Sequence, residues 1–137
     1  MKRYLLDSNA LNAFVDRREP FALRLREARL QGDRIGTCEP VVAEMFYGLE
    51  FSATRDANIV RLERDLVGIR SWPFDRRAAR QYASIAADLR RRGRIMQVVD
   101  MMVAAIAMSL QNCTVVTTDS DLSAMPGLSV VDWSKPG

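Results

Sequence analysis

The chain has 137 residues, 48% hydrophobic and 27% charged, with a formal net charge of +3, enough for one domain spanning 1–137 with a sizeable core. Histidine is absent, which excludes Ser-His-Asp and Cys-His catalysis, histidine bases and histidine metal ligands. Lysine stands only at Lys2 and Lys135, so no interior lysine can hold a phosphate in a P-loop or beside a phosphoryl-aspartate.

"RYLLD" is an apolar run ending at Asp7 and predicts a buried first strand, with a helix starting in "SNALNAFVD". "PFALRLREARLQG" predicts a helix with Phe21, Leu23, Leu25 and Ala28 as apolar positions and Gly32 as its stop. "RIGTC" predicts a second strand. In "EPVVAEMFYGLEFS", Pro40 opens a helix where its missing N–H costs nothing, Val41, Met45 and Leu49 recur every four residues, and Glu44 falls near the first turn. "ANIVRLERDLVGI" repeats Ile59, Leu62, Leu66 and Ile69 with the helical period. "WPFD" is a short extended segment, and Asp75 caps a helix over "RRAARQYASIAADLRRRG" that Gly93 ends. The run from Val98 is too long and too rich in Ala and Met for a strand, and predicts a buried helix beginning near Asp100. "CTVVTTD" is a strand ending at Asp119, and "SVVDW" a last short one.

Strands alternating with helices define an α/β chain with a mainly parallel sheet covered on both faces, whose ligands bind at the carboxyl ends of the strands. Cys38 and Cys113 sit in apolar surroundings without zinc-site spacing and are read as buried free thiols. The apolar stretch after Met1 is too short for a secretory signal. The run from Val98 to Leu110 falls short of the roughly 20 residues that span a bilayer. A soluble, cytoplasmic protein with no membrane partner is expected.

Most acidic residues, such as Glu27, Asp33, Glu63 and Asp65, have polar neighbours and read as solvated. Asp7, Glu44, Asp100 and Asp119 do not: they close or interrupt "YLLD", "VVAEMF", "VVDMMV" and "VVTTD", with Asp121 two residues further on. Each also has an ordinary reading, as a helix cap for Asp7 and Asp100, a helix-face residue for Glu44 and a turn residue for Asp119 or Asp121. Strand ends and helix starts that meet at one rim would bring all four together. Like charges about 4 Å apart repel by roughly 4 kcal/mol at an effective dielectric of 20, more than helix N-termini offset. A divalent cation resolves that repulsion, and an all-oxygen set without His or Cys selects a hard ion, Mg²⁺ or Mn²⁺. Such an ion makes a bound water acidic and neutralises charge on a phosphodiester, so no histidine base is needed.

"YLLDSNAL", "EPVVAEMFYGL", "GRIMQVVDMMVAAIAM" and "VVTTDSDLSAMPGLSVVDW" resemble, in order, the four signature segments of the PIN-domain family, in particular the VapC-type toxins of type II toxin–antitoxin systems. The resemblance implies a three-layer α/β/α Rossmann-like fold, Mg²⁺- or Mn²⁺-dependent endoribonuclease activity leaving 5′-phosphate and 3′-hydroxyl ends, homodimerisation, and inhibition by a VapB-type antitoxin. It assigns the catalytic acids to Asp7, Glu44, Asp100 and Asp119. Asp7, Asp100 and Asp119 would hold metal, with Asp121 a further candidate ligand, and Ser8, Asn9 and Thr118 would surround them. Ser8 stands where Thr is common. Thr118-Asp119-Ser120-Asp121 replaces a segment in which relatives often carry Asn, and leaves open whether Asp119 or Asp121 is the nearer ligand. Ile95-Met96-Gln97 replaces a common Pro-Ile-Gly-like turn.

Arg90, Arg91, Arg92 and Arg94 form the densest basic run and lead into the loop before Asp100. They are the candidate RNA-phosphate contacts, and they also fit arginines that simply complement a helix C-terminus. Phe46, Tyr47, Leu49 and Phe51 offer an apolar surface for a second copy or an antitoxin helix, with core packing expected for at least half of them. Three rival readings stand beside the toxin nuclease. A phosphoryl-aspartate hydrolase is disfavoured by Asn9 and the missing lysine. The others are a non-catalytic PIN-like RNA-binding subunit and a PIN nuclease of RNA maturation without an antitoxin.

Overall fold

The structure, a computed structural model, describes residues 1–136. Its elements run β1 (Arg3–Leu6), α1 (Ser8–Val15), α2 (Phe21–Leu30), β2 (Arg34–Thr37), α3 (Glu39–Leu49) and α4 (Arg55–Leu66). They continue through β3 (Arg70–Ser71), α5 (Arg76–Arg91), α6 (Val98–Ser109), β4 (Cys113–Val116), α7 (Ser120–Ser123) and β5 (Val130–Val131). The five strands form one sheet in the order β3-β2-β1-β4-β5, and every pairing is parallel. Right-handed crossovers then send α1 to α4 to one face and α5 to α7 to the other, which gives the three layers expected.

The strands are short and need apolar side chains on both faces to hold them. Leu5, Leu6, Val115 and Val116 are buried, and so are Leu11, Val41, Leu89, Val103 and Ile106 from the helices. They belong to one continuous core that extends from Leu5 to Trp133. Each such side chain contributes roughly 1.5–3 kcal/mol when fully buried. Trp133 ties the end of the chain into this core, with ring centroids 4.8 Å from Tyr4 and 5.5 Å from Phe21.

Two local expectations shift. β3 is Arg70–Ser71, just ahead of the "WPFD" segment read as extended. The reason lies in β2: a Cβ on Gly36 would stand 2.7 Å from the Trp72 ring and 2.9 Å from the Arg70 carbonyl oxygen, so the bare glycine lets β3 and the Trp72 ring close over β2. Likewise α3 begins at Glu39 behind an extended Cys38, with Pro40 in its first turn, which moves Glu44 from the first turn into the second. The chain stops expected at Gly32 and Gly93 are present as left-handed residues, φ +84° and +66°. Asp75 caps α5 by accepting from the Ala78 amide.

Candidate active site

The sheet order reverses between β1 and β4, one strand running on to β2 and the other to β5, and parallel sheets open a crevice at such a point beyond their carboxyl ends. The register pairs Leu6 with Val116, so the next residues, Asp7 and Thr117, leave neighbouring strands at the same level. The Asp7 amide still donates to the Val116 carbonyl at 3.3 Å. Both side chains are buried, Asp7 at 4% and Thr117 at 2% exposure.

Asp7 caps α1, its Oδ1 accepting from the Ala10 amide at 2.9 Å. Asp119 caps α7, its Oδ1 accepting from the amides of Asp121 at 2.7 Å and Leu122 at 3.3 Å. The capping reading of Asp7 is therefore correct, and it does not compete with a place in the crevice. Burial pushes the Asp7 carboxyl above the ordinary carboxylate range; the Thr117 hydroxyl and the Ala10 amide oppose that rise, and the charge of Asp119 adds to it.

Asp100, in the first turn of α6, is pushed up to about 6, first by burial and then by the charges of Asp119, Asp7, Glu44 and Asp121, in that order. The other three acids singled out in the sequence therefore all act on Asp100, and Asp121 acts on it more weakly than Asp119. Glu44 is exposed, and the Ser8 hydroxyl fixes it by donating to its Oε1 at 2.6 Å. Among the described residues no arginine or lysine pairs with Asp7, Glu44, Asp100 or Asp119; the ion pair nearest in sequence joins Arg94 to Asp121 at 4.0 Å.

Thr117 carries no weight in the sequence reading, which points to Thr118. Thr118 is exposed and receives only a long 3.4 Å contact from Asn9 Nδ2. Thr117 lies against Asp7 and accepts the Asp119 amide at 2.9 Å, so its hydroxyl links the two acids. The buried Thr at the end of a strand is the available signal, because the polar group of such a residue must find partners.

Arg90 and Arg91 end α5, Arg92 follows as its cap, and all four arginines of the run are exposed. Arg91, Arg92 and Arg94 line one cleft together with Asp121, whereas Arg90 lines a shallower hollow with Ile95 and Met101. Arg92 is held by Asp88 at 3.2 Å. On α3, Phe46 and Leu49 are half-buried, while Tyr47 and, just beyond the helix, Phe51 are 69% and 75% exposed and meet edge to face at 5.2 Å. The thiols of Cys38 and Cys113 are pushed by burial up to about 11 and about 12, far from a nucleophilic state.

The donor set is carboxylate and hydroxyl oxygen, which fits a hard divalent ion. Among the described residues no three acids stand close enough together to ligate an ion by themselves. The arrangement thus suits a hard divalent ion that keeps several waters and takes one or two carboxylates plus substrate oxygens. It does not suit a closed protein cage.

Fold and crevice together define a parallel α/β protein whose carboxyl edge is arranged to handle a hard cation and a phosphate ester without histidine. The chain belongs to the PIN-domain family, which matches residues 4–128, and within it to the VapC-type ribonucleases. It is 31% identical to ribonuclease VapC5 of Mycobacterium tuberculosis over 73% of this chain and 75% of that protein. It is 28% identical to the tRNA(fMet)-specific endonuclease VapC of Shigella flexneri over 98% of this chain and all (100%) of that one. Among solved structures, DNA-bound VapBC of Salmonella typhimurium matches with a TM-score of 0.86 at 25% identity, over 97% of this chain and 99% of that one. VapBC2 of Rickettsia felis, bound to a promoter DNA fragment, shares the fold with a TM-score of 0.87 at 22% identity, over 96% and 98%. Nucleases of this family depend in general on a divalent metal ion. Among the described residues no helix is long and apolar enough to cross a membrane.

Proposed function

We propose that this chain hydrolyses RNA phosphodiesters as the toxin of a VapBC-type pair, acting on a structured RNA such as tRNA or rRNA and so inhibiting translation and growth. What supports this reading is Asp100, pushed up to about 6 by burial and then by the charges of Asp119, Asp7 and Glu44, beside the point where the sheet order reverses. Asp7, Asp100 and Asp119 would hold the cation, Mg²⁺ or Mn²⁺, one or two of them directly and the rest through its bound waters. The preference for Asp119 over Asp121 is supported by its stronger action on Asp100. Glu44, fixed by Ser8, reaches the same space directly or through water. When bound, the ion makes an attacking water more acidic and offsets charge on the phosphate.

The chain's own groups do the positioning. Thr117 sets the spacing of Asp7 and Asp119, helix capping fixes one oxygen of each, and the arginines at positions 90, 91, 92 and 94 hold the RNA backbone. Residues 1–137 act as one PIN unit in the cytoplasm, as a homodimer restrained by a VapB-type antitoxin. Exposed Tyr47 on α3 and Phe51 just beyond it give that partner an apolar surface, and structures of similar proteins are VapBC complexes. The test is to incubate the purified protein with total RNA and with duplex DNA, with Mg²⁺, with Mn²⁺ and with chelator, and to map ends by sequencing. Discrete metal-dependent cuts in RNA alone are expected. Binding without cleavage would instead support the non-catalytic RNA-binding reading.

A further inference from the structure

A cleft of about 260 Å³ lies between α5, the end of α6 and α7, and Asp121, two residues beyond Asp119, lines it. The Asp121 amide donates to Asp119 Oδ1 at 2.7 Å, so a nucleotide whose phosphate sits at Asp119 has the cleft within reach of its base. The volume is below the roughly 300–1,000 Å³ common for drug-sized ligands, and suits one flat ring system better than a folded peptide segment.

The lining has three chemistries. Its buried side is apolar, with the thioethers of Met96 and Met125 beside Ile85 and Leu89, and half-buried Met108 next to them. Gln81, Ser84 and Asp88 recur at three- and four-residue spacing along one face of α5 and line the same cleft. The exposed rim carries Arg91, Arg92 and Arg94, and carboxylates orient two of these guanidinium groups: Asp88 holds Arg92 at 3.2 Å and Asp121 faces Arg94 at 4.0 Å.

We propose that this cleft is a nucleobase subsite, taking one unstacked base of single-stranded RNA beside the phosphate at the acidic crevice. Thioether and aliphatic groups accept the flat face of a base. The Gln81 amide and Ser84 hydroxyl both donate and accept, and the Asp88 carboxylate accepts, which is the complement a base edge requires. Arginine planes at the rim stack on bases or hold the flanking phosphates. The inference rests on the RNA reading of the crevice, and assigns to the cleft the choice of base next to the cut.

The test is made with chelator present, so that no cleavage intervenes. Fluorescence anisotropy compares labelled short single-stranded RNA with versions carrying an abasic ribose at each position in turn. One position is expected to weaken binding about tenfold when its base is missing. Ser84→Phe, at an exposed α5 position facing the cleft, is expected to weaken binding of the intact RNA and erase that positional effect while the thermal melt is retained. A flat abasic scan in the unaltered protein, no RNA binding at all, or a positional effect that persists in a folded Ser84→Phe protein overturns the proposal. If Ser84→Phe does not fold, the scan on the unaltered protein decides alone. Cleavage with metal is scored separately: a protein that cuts RNA but gives a flat scan loses the subsite only, and one that shows the positional effect without cutting loses only the nuclease reading.

Discussion

The Ser8 hydroxyl donates to Glu44 Oε1 at 2.6 Å and joins the start of α1 to the second turn of α3. Glu44 is exposed, and without this tie its side chain would sample several rotamers in water. At an exposed site such a bond adds little to stability, but losing it lets Glu44 leave its position in the site, so Ser8→Ala should lower the RNA cleavage rate on the order of tenfold. The melting temperature should barely move. Ser8→Thr keeps the hydroxyl and should restore the rate. Equal rates for all three proteins in single-turnover cleavage would show that Glu44 needs no anchor.

Asp7 does two jobs that substitution can separate. Asn caps helices about as well as Asp, while Ala costs about 1 kcal/mol at such a position. Asp7→Asn should therefore keep the cap on α1 and the melting temperature, yet lose about 100-fold or more in cleavage because the carboxylate is gone. Asp7→Ala should lose both. Comparing melting curves with cleavage rates for the pair checks this, and an active Asp7→Asn protein would remove Asp7 from the chemistry.

The sequence carries the parts of this site that depend on local pattern. Asp7 and Asp119 end apolar runs, Asp75 stands one residue before a helix, and Gly93 follows a run of arginines; each is where the structure has it. Features set by contacts between distant segments are not legible in this way. β3 owes its position to the space over Gly36. Thr117 rather than Thr118 meets Asp7 because the register of β1 on β4 pairs Leu6 with Val116, and in a strand a slip of one residue exchanges the buried side chain for the exposed one. Glu44 falls in the second turn, not near the first, because Cys38 is extended and α3 starts at once behind it, one residue before Pro40.

The carboxyl of Asp100 fixes the sign of a pH effect. Its folded value is about 6, above the 3.8 of a free carboxylate, so the folded state holds the proton more tightly than the unfolded chain. Stability of the metal-free protein must then fall as pH rises from 4 through 6, and level off above that. Asp100→Asn lacks this fall. Because Asp100 is half-exposed, only a part of the shift counts towards stability; we expect a gain of about 1 kcal/mol at pH 7.5, or about 3 °C in Tm, and none at pH 4. Thermal melts in chelator across this range check the prediction, and a saturating divalent ion should reverse the order of the two proteins at pH 7.5.

The arginines after α5 separate backbone holding from chemistry. Arg90, Arg91, Arg92 and Arg94 are exposed, and a phosphate contact to a single strand steepens the dependence of log K on log salt by about 0.7. Asp88 and Asp121 already face Arg92 and Arg94 and offset part of their charge, so replacing all four by glutamine should flatten the slope by about 2. Within the set, Arg90→Gln and Arg91→Gln should cost most, since among the described residues no carboxylate pairs with either. The loss should appear as weaker binding in chelator and as a higher KM, with the single-turnover rate at saturating RNA nearly unchanged. An unaltered salt slope in the fourfold variant would return these arginines to the ordinary role of complementing the C-terminus of α5.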